Sequence, residues 1–209
     1  MTGDPGAAPG AAAPPRYLRW LGSEITLGTL IALLSVFTAL SSYQGSMADS
    51  DQNKGEVEGM QVLNDANAEY LTANQEIIQD YTYYDSWYLH QDDPDLAAYY
   101  IDSFSPTLLA AIDRAEEDPF DEAYYEEMYA YPTSLFDEAD ALFGVAQEHD
   151  ERGDRLQLVV MMTAVGLAFA AWASLLGAES RIRLLFAALA IIALVLGVVS
   201  YFTIPPVSG

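Results

Sequence analysis

The 209-residue sequence predicts an all-α membrane protein with three transmembrane helices and an acidic helical domain outside the membrane. Three stretches are apolar over the roughly 20 residues that a helix needs to cross a bilayer. The acidic residues are concentrated between the first and second of these stretches. No stretch shows the alternating apolar and polar pattern, bounded by turn signals, that is typical of a β-strand.

Residues 1–20 precede the first apolar stretch and consist mainly of Gly, Ala and Pro. Such a composition has no apolar surface to bury, so we predict a disordered tail. The first transmembrane helix is predicted over residues 21–43. A cleaved signal peptide is the alternative, because Ala39-Leu40-Ser41 resembles a cleavage site, but the apolar run exceeds the roughly 7–15 residues of a signal peptide.

The second and third transmembrane helices are predicted over residues 156–176 and 182–204, joined by a short turn at 177–181. Pro205 and Pro206 follow the third helix and end it. Small residues recur every four positions in the second helix, a spacing that lets another helix approach closely. These residues are Gly166, Ala170 and Ser174.

The orientation follows from the basic residues beside the apolar stretches, since Lys and Arg favour the cytoplasmic side. Arg16 and Arg19 precede the first helix, and Arg181 and Arg183 lie at the turn between the second and third. We therefore expect a cytoplasmic N-terminus, with residues 44–155 and the short C-terminal tail (205–209) on the extracytoplasmic side.

Glu24 lies about one helical turn inside the first span, where an ionisable side chain is costly. It either reaches back to the cytoplasmic interface or pairs with Arg181 or Arg183, and we favour the pair. The second and third spans contain no carboxylate or histidine. Transport along this chain alone is therefore not expected.

Charge excludes several functions. Of the 31 Asp and Glu residues, 28 lie between Asp49 and Asp154, which with four basic residues gives residues 44–155 a net charge of −24. Nucleic-acid binding needs clustered Lys and Arg and is disfavoured. The absence of cysteine excludes thiolate metal sites and disulfides. The abundance of Asp and Glu, together with a single Lys, suggests a salt-adapted source.

Residues 50–90 carry a seven-residue repeat that predicts a long helix with a seam. One row contains Asn53, Met60, Asn67, Asn74, Tyr81 and Tyr88, and the second contains Glu56, Leu63, Tyr70, Ile77 and Tyr84. Asn67 and Asn74 on a seam would fix register and pairing state. Alternatively, both asparagines face water on a domain surface.

A second long helix is predicted from about Thr133 to Leu176, because one row of residues continues without a break into the second span. The row is Leu135, Ala139, Leu142, Ala146, His149, Gly153, Leu156, Val160 and Thr163. Gly153 could bend this helix. Its small alanines suit close antiparallel packing against the first long helix.

Prolines divide the intervening residues into shorter helices. Asp93-Pro94 combines a capping residue with a proline suited to the first turn. Ser105-Pro106 is expected to restart or kink the same element before residues 107–115. Asp118-Pro119 predicts the start of a further helix, which Pro132 is expected to end.

Tyrosines are concentrated in these helices. They could form an interaction surface, for which Tyr81, Tyr84, Trp87 and Tyr88 are candidates together with the two asparagines. They could instead form the core of a small helical head, with hydroxyls that meet the many carboxylates. We favour the core, although tyrosines on all helix faces must leave some exposed.

A metal site is weakly suggested by His90, Asp92, Asp93 and Asp95, and a second acidic run spans 116–122. Neither has the residue order of a calcium-binding loop, and acids also favour the first turn of a helix. We expect diffuse cation binding, no specific metal and no cofactor.

The layout resembles a group of prokaryotic three-span membrane proteins that have no assigned activity. The similarity rests on three segments: ALSSYQGSMADSDQ after the first span, NDANAEYLTANQEIIQDYTYYDSWY in the long helix, and GAESRIR in the turn. The resemblance implies one span, a helical extracytoplasmic hairpin and two closely spaced final spans. It implies no activity.

No nucleophile motif, phosphate loop or metal-ligating histidine pair is present. We therefore expect a non-enzymatic scaffold or accessory subunit, in contact with lipid and with a membrane-protein partner or further copies of itself. A sensor for a cation or small ligand is the alternative. The predicted cytoplasmic parts are a tail and a turn, which favours the scaffold.

Overall fold

The computed structural model describes residues 20–114, 118–178 and 180–207, so the predicted tail lies almost wholly outside it. The described residues form five helices and no strand. The helices are α1 (Glu24–Leu89), α2 (Pro94–Ile101), α3 (Pro106–Arg114), α4 (Glu122–Leu175) and α5 (Arg181–Phe202). The all-α prediction is confirmed, and α1, α4 and α5 are each long and apolar enough to cross a membrane.

The chain divides into two compact units. Of the described residues, those up to Gln52 and from Glu148 onwards form the apolar unit, and those between Asn53 and Gln147 form the acidic unit. The helices α1 and α4 contribute to both units without interruption. The continuous helix predicted through the second span is therefore confirmed, and Gly153 does not break it.

Small residues let α1, α4 and α5 pack closely in the apolar unit. A methyl group placed on Gly166 would lie 2.9 Å from Cβ of Ala193 and 3.0 Å from Cδ2 of Leu34. Ala170 is also buried, whereas Ser174 is exposed. The first two positions of the predicted small-residue strip therefore serve packing within the chain.

In the acidic unit, α1 and α4 run antiparallel. A methyl group placed on Gly55 would lie 3.1 Å from Cβ of Ala146, and one on Gly59 would lie 2.7 Å from Cε1 of Phe143. Further along α1, the ring of Tyr70 stacks on that of Tyr129 at 5.1 Å. Residue numbers therefore increase along α1 as those of the facing residues on α4 decrease, as expected for the predicted antiparallel pair.

The seam of α1 differs from the prediction by one residue in one of its two rows. The buried row is Gly59, Ala66, Ala73 and Asp80, directly before the predicted Met60, Asn67, Asn74 and Tyr81. The other predicted row holds better, since Ile77 is buried and Leu63 half-buried. Small side chains carry little apolar signal, yet they permit the closest helix approach and so occupy the interface.

The helix α4 begins and continues differently from the prediction. It starts at Glu122, because Asp121 caps it by accepting a 2.8 Å hydrogen bond from the Tyr124 amide, while Asp118 forms a turn with the Phe120 amide. Pro132 lies inside α4 and does not end it. Proline in a helix interior costs about 3 kcal/mol, and packing on both sides, at Tyr124 and Ala139, offsets this.

The helix α2 begins where the sequence predicts, and Ser105-Pro106 starts a separate helix, α3, instead of kinking α2. Asp93 accepts from the Leu96 amide at 3.3 Å and caps α2. Ser105 Oγ accepts from the Leu108 amide at 3.0 Å and caps α3. Both helices carry proline at their first position, where its missing N–H is not needed. Each cap satisfies a backbone N–H of the first turn that has no partner within the helix.

Candidate functional site

An aromatic cluster fills the core of the acidic unit. Its buried members come from α1, α4 and the α2–α3 region, and half-buried aromatics pack around them. The buried residues are Ile77, Phe104, Leu108, Ala111, Tyr124 and Met128. The preferred interpretation of the aromatic runs as a core is confirmed for the tyrosines in or against this cluster.

Asp80 brings three helices together at the edge of this cluster. Its side chain is 1% exposed. Oδ1 accepts from the Ser105 amide at 2.9 Å, and Oδ2 accepts from Ser105 Oγ at 2.5 Å and from the Tyr124 hydroxyl at 2.8 Å. Three donors satisfy the carboxyl without a basic partner. The network therefore joins α1, the start of α3 and α4.

Tyr124 is fully buried, and burial raises the pKa of its phenol, as does the hydrogen bond to Asp80. The hydroxyl therefore stays protonated and donates throughout the neutral range. No substrate could reach this pair without opening the core. The hydrogen bond between Asp80 and Tyr124 therefore has a structural role, which is to join α1 to α4.

A second polar group surrounds the start of α4. Arg114 Nη2 lies 2.6 Å from Asp121 Oδ1, and Arg114 Nε donates to Oδ2 at 3.1 Å. This bidentate pair lowers the pKa of Asp121, and the bond from the Tyr124 amide lowers it further. Both side chains are about 40% exposed. The pair links the end of α3 to the start of α4.

Tyrosine hydroxyls extend the polar contacts to the surface. The hydroxyl groups of Tyr81 and Tyr125 are in contact, which with burial raises the pKa of Tyr125 to about 12. Phe120 stacks on Tyr81 at 4.1 Å. The hydroxyl of Tyr129 donates to Oδ1 of Asn74 at 2.9 Å. These contacts also connect α1 with α4 and the residues just before it.

The predicted interaction residues fall into different environments. Asn67 is exposed, and its amide donates to the Leu63 carbonyl of its own helix at 2.8 Å. Its environment within this chain therefore matches the alternative in which the asparagine faces water. Asn74 is half-buried and bonded to Tyr129 as described. Tyr84 and Trp87 pack against the core, whereas Tyr88 is 66% exposed.

The weak metal candidates are not brought together. Among the described residues, no three His, Asp or Glu side chains lie close enough to hold an ion. His90 Nδ1 lies 2.7 Å from the Ser86 carbonyl, and Asp93 caps α2. In the second acidic run, Glu116 and Glu117 lie outside the described residues.

The structure places Glu24 and Arg183, one of its two predicted partners, in different environments. Glu24 is exposed, whereas Arg183 is 5% exposed and donates from Nη1 to the Leu176 carbonyl at 2.8 Å. Arg183 also packs beneath Gly22. Its guanidinium therefore satisfies a carbonyl at the end of α4. Arg181 likewise has an interaction of its own.

Asp80 belongs to neither of the two seam rows that the sequence predicts. A signal was present, since Gly59, Ala66 and Ala73 recur every seven residues and the next member of that row is Asp80. A row of small residues identifies a close helix interface as well as a row of large ones does. An acid on such a row needs donors from the facing helices.

No family model matches the chain, and no curated protein or solved structure matches it either.

Proposed function

We propose that the protein is a non-enzymatic integral membrane scaffold or accessory subunit, which contacts its partner through the acidic, Tyr-rich unit on the extracytoplasmic side. The observation that carries the proposal is the contrast between the exposed surfaces of the two units. The apolar unit exposes large apolar side chains on all three long helices. They include Val36 at 69%, Met161 at 58% and Val199 at 55%.

Such surfaces suit lipid, because a soluble monomer rarely exposes a contiguous apolar patch above a few hundred Å². The acidic unit presents carboxylates instead, with 22 Asp and Glu between Asn53 and Gln147 against two basic residues. The Arg-containing turn between α4 and α5 favours the cytoplasm by the positive-inside rule. The acidic unit is then extracytoplasmic.

The candidate contact surface is the set of exposed tyrosines. Tyr88, Tyr99 and Tyr131 are 66%, 62% and 60% exposed. Tyrosine is enriched where proteins bind each other, since it offers rigid contact area with a polar tip. The inner aromatics pack against one another and hold these helices in place. The arrangement supports binding of a partner rather than turnover of a substrate.

Topology is tested by cysteine labelling, since the chain has no native cysteine. A membrane-impermeant maleimide should label Tyr99→Cys in intact cells and Ala178→Cys only after permeabilisation. Both positions are exposed. The reverse pattern would overturn the orientation.

The scaffold role is tested by cross-linking in mild detergent, followed by affinity capture and mass spectrometry. A stoichiometric partner, or a second copy of the chain, should be captured by the native protein and lost from Tyr88→Ser/Tyr99→Ser. The matched control is Leu71→Ser, an exposed position on α1. Equal capture by both variants would reject the tyrosine surface, and a monomer without partners would reject the scaffold.

A further inference from the structure

A pocket of about 600 Å³ lies in the apolar unit, between α1, α4 and the segment after α5. Its volume is in the range of about 300–1,000 Å³ that ligand sites occupy. Among its lining residues, Tyr43, Gln44 and Asp51 come from α1, His149 and Arg152 from α4, and Val207 from the C-terminal segment. The pocket therefore combines cationic, anionic, aromatic and apolar groups.

Close packing fixes the walls of this pocket. A methyl group placed on Gly45 would lie 3.7 Å from Cβ of Leu156, and one on Gly153 would lie 2.7 Å from Oδ1 of Asp49. Arg152 Nη1 donates to the Pro205 carbonyl at 3.2 Å. This bond holds the C-terminal segment against α4. Three parts of the chain thus line an open pocket.

The position of the pocket along α4 matches the headgroup layer of a bilayer. Leu156 is the first buried apolar residue of the second apolar stretch. At about 1.5 Å per residue, Arg152 lies roughly 6 Å beyond it and His149 roughly 10 Å beyond it. The headgroup layer extends about 5–8 Å outside the hydrocarbon core. Arg152 therefore lies at the depth of lipid phosphates.

The lining groups suit a headgroup that carries both charges. The guanidinium has five N–H donors in a planar fork that fits phosphate oxygens, and only one of its nitrogens bonds to Pro205. Asp51 and the ring of Tyr43 can receive an ammonium group. Asp49, Glu148 and Glu151 add negative charge nearby, which disfavours a purely anionic lipid.

We propose that this pocket binds the headgroup of a zwitterionic phospholipid, with Arg152 on the phosphate. The inference rests on the proposed membrane location. Bound lipid would bridge α1, α4 and the C-terminal segment. It would make the outer ends of the apolar helices depend on lipid composition.

The test is native mass spectrometry of the full chain in mild detergent, titrated with dioleoyl phosphatidylethanolamine. Dioleoyl phosphatidylglycerol, dioleoylglycerol and inorganic phosphate are the comparison arms. Arg152→Gln should weaken retention of phosphatidylethanolamine about tenfold or more, the effect of losing one charge-assisted hydrogen bond. Arg155→Gln is the matched control, with the same charge change on the same helix but outside this pocket. It should bind within about twofold of the native chain.

Val207→Trp keeps every charge and fills the pocket with a larger side chain. It therefore tests lipid binding even if Arg152→Gln does not fold. Equal retention by Val207→Trp and the native chain would overturn the proposal. Equal retention by the two arginine variants, equal binding of dioleoylglycerol, or preference for phosphatidylglycerol would do the same. Competition by inorganic phosphate would assign the site to free phosphate instead.

The two levels of inference fail differently. A chain that stays monodisperse without detergent, or that labels from the wrong side, removes the proposed membrane role. A chain that needs detergent and labels as expected, but retains lipid equally in both arginine variants, removes only the lipid site.

Discussion

The hydroxyl of Tyr124 donates a 2.8 Å hydrogen bond to Oδ2 of Asp80, and both side chains are buried. Asp80 belongs to α1 and Tyr124 to α4, 44 residues apart. The bond therefore closes a long loop of chain that contains α2 and α3. Residues 44–155 carry a net charge of −24, and the deeply buried Asp80 carboxyl among them is satisfied by neutral donors from Ser105 and Tyr124.

Asp80→Ala is expected to destabilise the acidic unit by at least about 3 kcal/mol, because the Ser105 and Tyr124 donors would be buried without acceptors. The thermal midpoint of helix loss, followed by circular dichroism in detergent, measures the effect. Asp85→Ala removes an exposed carboxylate about one and a half turns further along α1 and should change the midpoint little. Equal shifts would show that the Asp80 contacts do not stabilise the fold.

Tyr124→Phe is expected to cost about 1–2 kcal/mol at neutral pH through the lost hydrogen bond. It should also reduce the alkaline sensitivity of the native chain. Because the folded-state pKa of Tyr124 is raised, its contribution is complete below the unfolded pKa of about 10 and falls as pH rises above that value. Thermal midpoints between pH 8 and 11 measure this. A parallel decline in both proteins would contradict the assignment.

Gly59→Ala and Gly144→Ala are expected to change stability in opposite directions. Alanine at 59 would meet the Phe143 ring at 2.7 Å, and such overpacking costs about 1–3 kcal/mol. Alanine at 144 meets nothing within 4 Å and should gain about 0.5–1 kcal/mol of helix propensity. Thermal melts of the two variants test the close approach of α1 and α4. A gain at both positions would refute it.

Gly166→Val is expected to loosen the apolar unit, since the added carbons would collide with Ala193 and Leu34. We expect a loss of about 1–3 kcal/mol and a lower melting midpoint in detergent. Gly28→Val is the control, because Gly28 has open space around it. If Gly28→Val is as damaging as Gly166→Val, β-branching and not packing explains the loss.

Local signals predicted much of the fold. Apolar length identified three helices that are long enough to cross a membrane. The Asp93-Pro94 and Ser105-Pro106 pairs marked the positions where α2 and α3 start, because caps act within one turn. Pro132 could not be predicted to lie inside α4. Its effect depends on how α4 packs against α1, as where Tyr129 stacks on Tyr70, and a window along the chain around Pro132 does not contain α1.

The hydrogen-bond donors of the buried Asp80 carboxyl could not be predicted from the sequence for a similar reason. Its donors come from Ser105 and Tyr124, and only the fold brings these three residues together. The shift of the seam to Gly59 and Ala66 has another cause. Hydrophobic periodicity weights large side chains, whereas a close helix pair selects small ones. The partner of the acidic unit could not be predicted either, because recognition depends on the surfaces of two molecules.

The glycine and alanine contacts between α1 and α4 have a consequence for a strongly acidic chain. Dissolved ions screen repulsion between carboxylates over about 10 Å at 0.1 M and 3 Å at 1 M. They do not alter the steric fit of Gly59 against Phe143. A change in salt concentration should therefore alter the stability of the α1–α4 pair, but not which residues of the two helices face each other.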